Sequence, residues 1–176
     1  FLDFDRLKIV NDSLGHLAGD ELLIEIARRL VRGVRLGDTV ARLGGDEFTI
    51  LLEDLNAQQE AIELAERLQQ SLTQSIKLSS TEVTITASIG IAFSSTTYQK
   101  PEELLRDADT AMYQAKSRGK ACYALFDPSM HSRAIHLLQI ENDMRRALER
   151  DEFFLVYQPI MAIETERLVG FEALVR

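Results

Sequence analysis

Between Val83 and Phe93 the chain alternates Val83, Ile85, Ala87, Ile89, Ile91 and Phe93 with small or polar residues. A helix would scatter those apolar side chains around its circumference, whereas a strand gathers them on one face, so this run commits the chain to a β-sheet. Phe1–Asp5 alternates apolar and acidic residues and reads as the end of a further strand. Thr39–Leu43 and Phe48–Leu52 are short β-prone runs separated by Gly44, Gly45, Asp46 and Glu47, which predicts a hairpin. Ala121–Phe126 reads as a closing strand.

Helical signals fill the intervals. Arg6–Leu14 suits a short helix stopped by Gly15. From Asp20 onward Leu23, Ile26, Ala27, Leu30 and Val34 follow helical spacing, with Gly33 and Gly37 marking the end. Asn56 and Gln59 have the spacing of a capping box before a helix with Ile62, Ala65, Leu68 and Leu72 on its buried stripe. Pro101 opens a third helix and Gly119 closes it. The order β-α-α-β-β-α-β-α-β predicts an α+β domain with one mainly antiparallel central sheet flanked by helices.

Asp127-Pro128-Ser129 marks the end of that domain, which spans 1–126. Residues 127–150 read as a linker and helix, carrying Ala134, Leu137, Leu138, Ile140, Met144 and Leu148 at helical spacing. Residues 151–176 hold two β-rich runs, Phe153–Tyr157 and Leu168–Val175, too little for a domain of their own. The chain opens at Phe1 without an initiator methionine and stops at Arg176 inside a strand-like run, so it reads as a fragment of something longer.

Composition excludes several function classes. The hydrophobic fraction of 45% supports a real core, and no apolar run approaches the ~18 residues that span a bilayer. A net charge of −8 disfavours non-specific binding to nucleic acid or to an anionic membrane, but not to a small anionic ligand. The single cysteine, Cys122, excludes an intrachain disulfide and reads as a small buried hydrophobe.

Four groups of residues are candidates for chemistry. Asp3 and Asp5, two apart on a strand, face the same side, and Asp46 and Glu47 lie on the hairpin loop. Gathered carboxylates repel one another unless a cation lies between them, and oxygen-only donors suit Mg²⁺. A solvated turn is the ordinary alternative, against which the pair Gly44-Gly45 removes two side chains where a phosphate could approach. Lys8, Lys116 and Lys120 could meet phosphate, although Lys116 and Arg118 also suit the end of a helix. Asn11 and Asp20 together can read the donor and acceptor edge of guanine; Asp20 equally suits a helix cap. Arg35 and Asp38 have the spacing of a surface ion pair, and His16, His131 and His136 have no metal-ligand spacing.

These residues resemble a known family. Gly44-Gly45-Asp46-Glu47-Phe48 matches the GGDEF signature of diguanylate cyclases, and Asp3 to Asp12 resembles its D-x-D-x-F-K-x-x-N-D segment. Gly15-His16, Gly19-Asp20-Glu21, Ser88-Ile89-Gly90, Tyr113-Gln114-Ala115-Lys116 and Gly119-Lys120 follow in step, so the resemblance covers residues 1 to about 126. Tyr157-Gln158-Pro159-Ile160 and Gly170 to Arg176 resemble the opening of an EAL domain, the family that hydrolyses cyclic di-GMP. Leu7 stands where phenylalanine is usual, Lys120 where arginine is commoner and Ala121 where asparagine is usual. Most of the family's first strand, with its D-x-L-T-G-L-x-N-R segment, is expected upstream of Phe1.

The resemblance implies a palm-like nucleotide-cyclase fold, N-terminally truncated, followed by a linker helix and an incomplete EAL start. It implies a cytoplasmic domain that condenses two GTP into cyclic di-GMP, with any inner-membrane anchor outside this segment. Asp3, the backbone carbonyl of Phe4, Asp46 and Glu47 would hold Mg²⁺ (or Mn²⁺), and Asp46 and Glu47 would be catalytic. Lys8, Asn11, Asp20, Gly44, Gly45, Lys116 and Lys120 would bind substrate. Arg35, Asp38 and Arg67 would form a site for inhibitory product, and Gln158, Glu172 and Arg176 belong to the EAL segment. Catalysis would need a homodimer, each domain holding one GTP, and no nucleic-acid or membrane contact. The alternative implied is a module that binds GTP or cyclic di-GMP and regulates an attached phosphodiesterase.

Overall fold

In the computed structural model, which describes residues 1–79, 81–95 and 98–176, the chain divides into two compact units, Phe1–Met130 and His131–Arg176. The first unit is a mixed α+β domain. Its elements run β1 (Leu2–Asp5), α1 (Leu7–Leu14), α2 (His16–Gly33), β2 (Thr39–Gly44), β3 (Glu47–Leu51), α3 (Gln58–Leu72), β4 (Ile76–Lys77), β5 (Glu82–Val83), β6 (Thr86–Ile91), α4 (Pro101–Ser117) and β7 (Tyr123–Leu125). The central sheet has the order β2-β3-β1-β6-β7, antiparallel throughout except for the β6–β7 pair. Among the described residues no helix is long and apolar enough to cross a membrane.

The two faces of β1 and β6 are chemically distinct. Leu2, Phe4, Ala87 and Ile89 join Leu22, Ile26, Leu30, Leu68 and Leu72 of α2 and α3 in the main core, where Phe4 meets Phe48 edge-to-face at 5.5 Å. Leu7 is buried in the same core. The opposite face carries Asp3, Asp5, Ser88 and Gly90 and is covered by α4. A Cβ on Gly90 would lie 1.9 Å from the Ala108 carbonyl oxygen and 2.2 Å from the Met112 nitrogen, so α4 rests directly on the strand backbone. Cys122 is half-buried against a second cluster of Ala111, Ala115, Ala124 and Met130.

Three local expectations are corrected. The long alternating run is not one strand: Val83 pairs with Ile76 in the short β4–β5 hairpin, and β6 starts only at Thr86. Helix α2 begins at His16 rather than Asp20, because Ala18 and Gly19 are buried beneath α1. The Asn56–Gln59 capping box does not form; α3 starts at Gln58, and Glu60 accepts the Asn56 N–H at 3.1 Å instead.

The second unit continues α5 (Ser129–Glu149) into an antiparallel hairpin of β8 (Leu155–Met161) and β9 (Leu168–Val175). Its helix leaves Ile135, Leu137, Leu138, Ile140, Met144 and Leu148 exposed. Residues Gln158 and Glu172 are direct cross-strand partners.

Candidate active site

The sheet register gathers the acidic residues. Asp3 is opposite Glu47 on one side and Ser88 on the other, so the three share one face across three strands. The hairpin turn puts Asp46 next to Glu47, and both are half-buried. Arg42 braces this turn by donating Nε and Nη2 to the Gly45 carbonyl at 3.0 and 2.8 Å. A Cβ at Gly44 or Gly45 would meet nothing within 4 Å, so open space lies beside both glycines.

Asp3 is 8% exposed, and its Oδ2 lies 2.8 Å from Lys116 Nζ on the last turn of α4. Burial pushes its carboxyl above the ordinary range, the Lys116 hydrogen bond and charge oppose this, and the charges of Asp46 and Asp5 add to the rise. The site therefore holds more negative charge than Lys116 neutralises. Among the described residues no three His, Cys, Asp or Glu side chains gather closely enough to hold a metal ion by themselves. A cation here would draw on the Phe4 carbonyl as well as carboxylates, an all-oxygen donor set that fits Mg²⁺ or Mn²⁺.

Asp5, on the same face as Asp3, is not free for a ligand. It is 4% exposed and accepts Thr86 Oγ1 at 2.7 Å, Ser88 Oγ at 2.9 Å and the Ala121 N–H at 3.1 Å. The backbone places Lys8 on the first turn of α1, just beyond β1, and Lys120 beside the Ala121 amide that Asp5 holds. Both lysines are exposed at the end of β1.

Asn11 of α1 packs against Gly19 of α2, the residue before Asp20. The Asn11 side chain occupies the space beside Gly19, where a Cβ would lie 1.8 Å from Oδ1, and the exposed Asp20 follows. Asp20 does not cap α2, whose N-terminal cap is Gly15.

Arg35 and Asp38 lie just beyond the end of α2, and Arg67 of α3 reaches the last residue of that helix. Arg35 pairs with Asp38 at 3.4 Å and Glu60 at 3.7 Å and donates to the carbonyls of Glu53 and Asp54. Arg67 donates to the Gly33 carbonyl at 2.7 Å. The Asp38 side chain is only 4% exposed, so this pair is not the loose surface contact that its spacing suggests.

Arg42 and Asp5 take parts that their places in the sequence do not reveal. Arg42 lies outside the signature, and the only signal for it is its position three before Gly45. Asp5 looks like a second member of the acidic cluster until its three donors are seen.

Residues 1–122 match the family model described as "Diguanylate cyclase, GGDEF domain". The chain belongs to this family. It is 46% identical over its whole length to the bifunctional diguanylate cyclase/cyclic di-GMP phosphodiesterase MucR of Pseudomonas aeruginosa, covering 26% of that protein. It is 40% identical over its whole length to the cyclic di-GMP phosphodiesterase NbdA of the same organism, covering 22% of it. The chain thus spans about a quarter of the length of these curated relatives. The crystal structure of the GGDEF domain of YfiN (TpbB) from Pseudomonas aeruginosa superimposes with a TM-score of 0.69 at 42% identity, covering 72% of this chain and 79% of that one.

Proposed function

We propose that the first unit is a diguanylate cyclase domain in which two copies, each holding one GTP, form one cyclic di-GMP and release two pyrophosphates. The observation that carries this reading is the row Glu47–Asp3–Ser88, with Asp46 beside it and Lys116 already on Asp3. Asn11 and the Asp20 carboxylate bind the guanine edge, and Lys8 and Lys120 meet phosphate oxygens. The open space beside Gly44 and Gly45 admits the phosphate chain. Glu47 takes the proton of the attacking 3′-hydroxyl, and Lys116 shifts from Asp3 toward the departing phosphates. Asp3, the Phe4 carbonyl and Asp46 would hold Mg²⁺, which when bound supplies charge neutralisation at the α-phosphate. Arg35, Asp38 and Arg67 form the site for inhibitory product.

The whole protein is read as a tandem GGDEF–EAL protein in the cytoplasm. The β8–β9 hairpin, with Gln158 opposite Glu172 and Arg176 just past β9, supports this as the opening of an EAL domain. The likeness to NbdA, whose name gives only a phosphodiesterase, favours a second reading, in which the domain binds GTP and regulates its neighbour.

The test supplies GTP with Mg²⁺ to the full-length protein in one tube and cyclic di-GMP in another, with products identified by mass spectrometry. Cyclic di-GMP from GTP, lost in Asp46→Ala, is the expected result. Linear dinucleotide in the second tube with no product in the first would replace the cyclase by the regulator.

A further inference from the structure

Beyond α4 the backbone enters a conformation that its residues do not favour. Gly119, Lys120 and Ala121 have φ of +114°, +67° and +50° in succession. Left-handed backbone is ordinary for glycine but strained for lysine and alanine, since their Cβ crowds the adjoining carbonyl. Alanine also lacks the side-chain oxygen with which asparagine eases the same conformation. Such strain persists only where the surroundings over-determine it.

The surroundings here are specific. The Lys120 N–H donates to the Ala115 carbonyl at 3.2 Å, and the Cys122 carbonyl accepts the Ile89 N–H at 3.0 Å. Between them the Ala121 N–H donates to Asp5 Oδ2 at 3.1 Å, and Thr86 and Ser88 hold that carboxylate from β6. Asp5 is thus a buried carboxylate held by three neutral donors, an arrangement with a large desolvation cost if its only role were to fill space. Asp3, two residues earlier on the same face, grips Lys116. One strand therefore holds the α4–β7 connection at two points, one on each side of Gly119.

We propose that Asp5 is a positioning residue that locks the left-handed 119–121 turn and so aims Lys120 at the nucleotide phosphates. The inference rests on the reading of Lys120 as a phosphate contact. Asp5 itself touches no substrate; its carboxylate fixes the amide immediately after Lys120, and so fixes the backbone from which that side chain starts.

The test is a double-mutant cycle in the full-length protein, using a GTP analogue with a non-cleavable α,β-methylene bridge and calorimetric binding. Lys120→Ala and Asp5→Asn should each weaken analogue binding about tenfold, and the double variant should be no weaker than either. Asp5→Asn should likewise raise the KM for GTP about tenfold while kcat changes less than about twofold. Should Asp5→Asn fail to fold, Thr86→Val removes one donor to the carboxylate at constant volume and should weaken binding about threefold. A purely structural Asp5 would lower thermal stability but leave affinity unchanged in either variant, or add its effect to that of Lys120→Ala; either result overturns the proposal. If Lys120→Ala binds the analogue normally, the phosphate reading of Lys120 fails and the Asp5 inference with it. If the unsubstituted protein binds none, the nucleotide reading itself is wrong.

Discussion

Lys116 Nζ lies 2.8 Å from Asp3 Oδ2, joining the last turn of α4 to the middle of β1 across 113 positions of sequence. A lysine at a helix C-terminus needs no special explanation, since it complements the helix dipole. Its contact with a carboxylate that is 8% exposed is a different matter. A buried ion pair costs desolvation, and here one ammonium serves an acid that also feels Asp46 and Asp5. The excess negative charge is what a divalent cation would relieve.

Because burial, Asp46 and Asp5 hold the Asp3 carboxyl above its ordinary 3.8, ionising it weakens the fold. Stability from protonated Asp3 is fully present below that ordinary value and is lost as pH rises through the raised range. Asp3→Asn should therefore have a higher urea midpoint than the unsubstituted chain at pH 7, and the gap should close at low pH. Mg²⁺ at about 100 times its Kd should stabilise the unsubstituted protein by about 2.7 kcal/mol and Asp3→Asn much less. Equal stabilisation of both proteins would place the cation elsewhere.

Gly19→Ala separates recognition from folding. The new Cβ would lie 1.8 Å from Asn11 Oδ1, the mobile end of a side chain, so Asn11 must turn away. Alanine is meanwhile the better helix former by about 1 kcal/mol. The thermal midpoint should hold while the KM for GTP rises about tenfold and discrimination against ATP falls. An unchanged KM would remove Asn11 from guanine recognition.

At Gly90 the atoms in the way are backbone. A Cβ 1.9 Å from the Ala108 carbonyl oxygen and 2.2 Å from the Met112 nitrogen can be accommodated only by lifting α4 off β6. Gly90→Ala should cost about 3 kcal/mol or more, read from denaturant midpoints at constant m-value.

Removing Arg35 has two consequences that one variant would confuse. Asp38 Oδ1 is buried without a hydrogen-bond partner among the described residues and faces Arg35 Nε at 3.4 Å. Arg35→Ala should therefore lower stability by about 1–3 kcal/mol as well as raise the cyclic di-GMP concentration that inhibits. Adding Asp38→Asn should restore much of the stability and none of the inhibition. Recovery of both would show that the lost inhibition came from misfolding.

Neighbouring residues settle the caps and turns of this fold between them. Pro101 and Gly119 bracket α4 within two residues of its ends, and Gly44 to Glu47 mark the β2–β3 turn, because caps and turns depend on contacts within about four residues. The α+β class followed from the alternation of periods along the chain. The structure alone decided where those elements meet. Ala18 and Gly19 extend α2 beyond its local signal because α1 packs on them, and β5 leaves the long alternating run because Val83 finds Ile76. Parallel pairing of β7 with β6 likewise depends on how α4 crosses the sheet. The acidic residues diverge for the same reason. Asp3 and Asp5 are alike in spacing, yet one faces Lys116 and the other is enclosed by Thr86, Ser88 and Ala121, partners that only the folded sheet brings within hydrogen-bond reach.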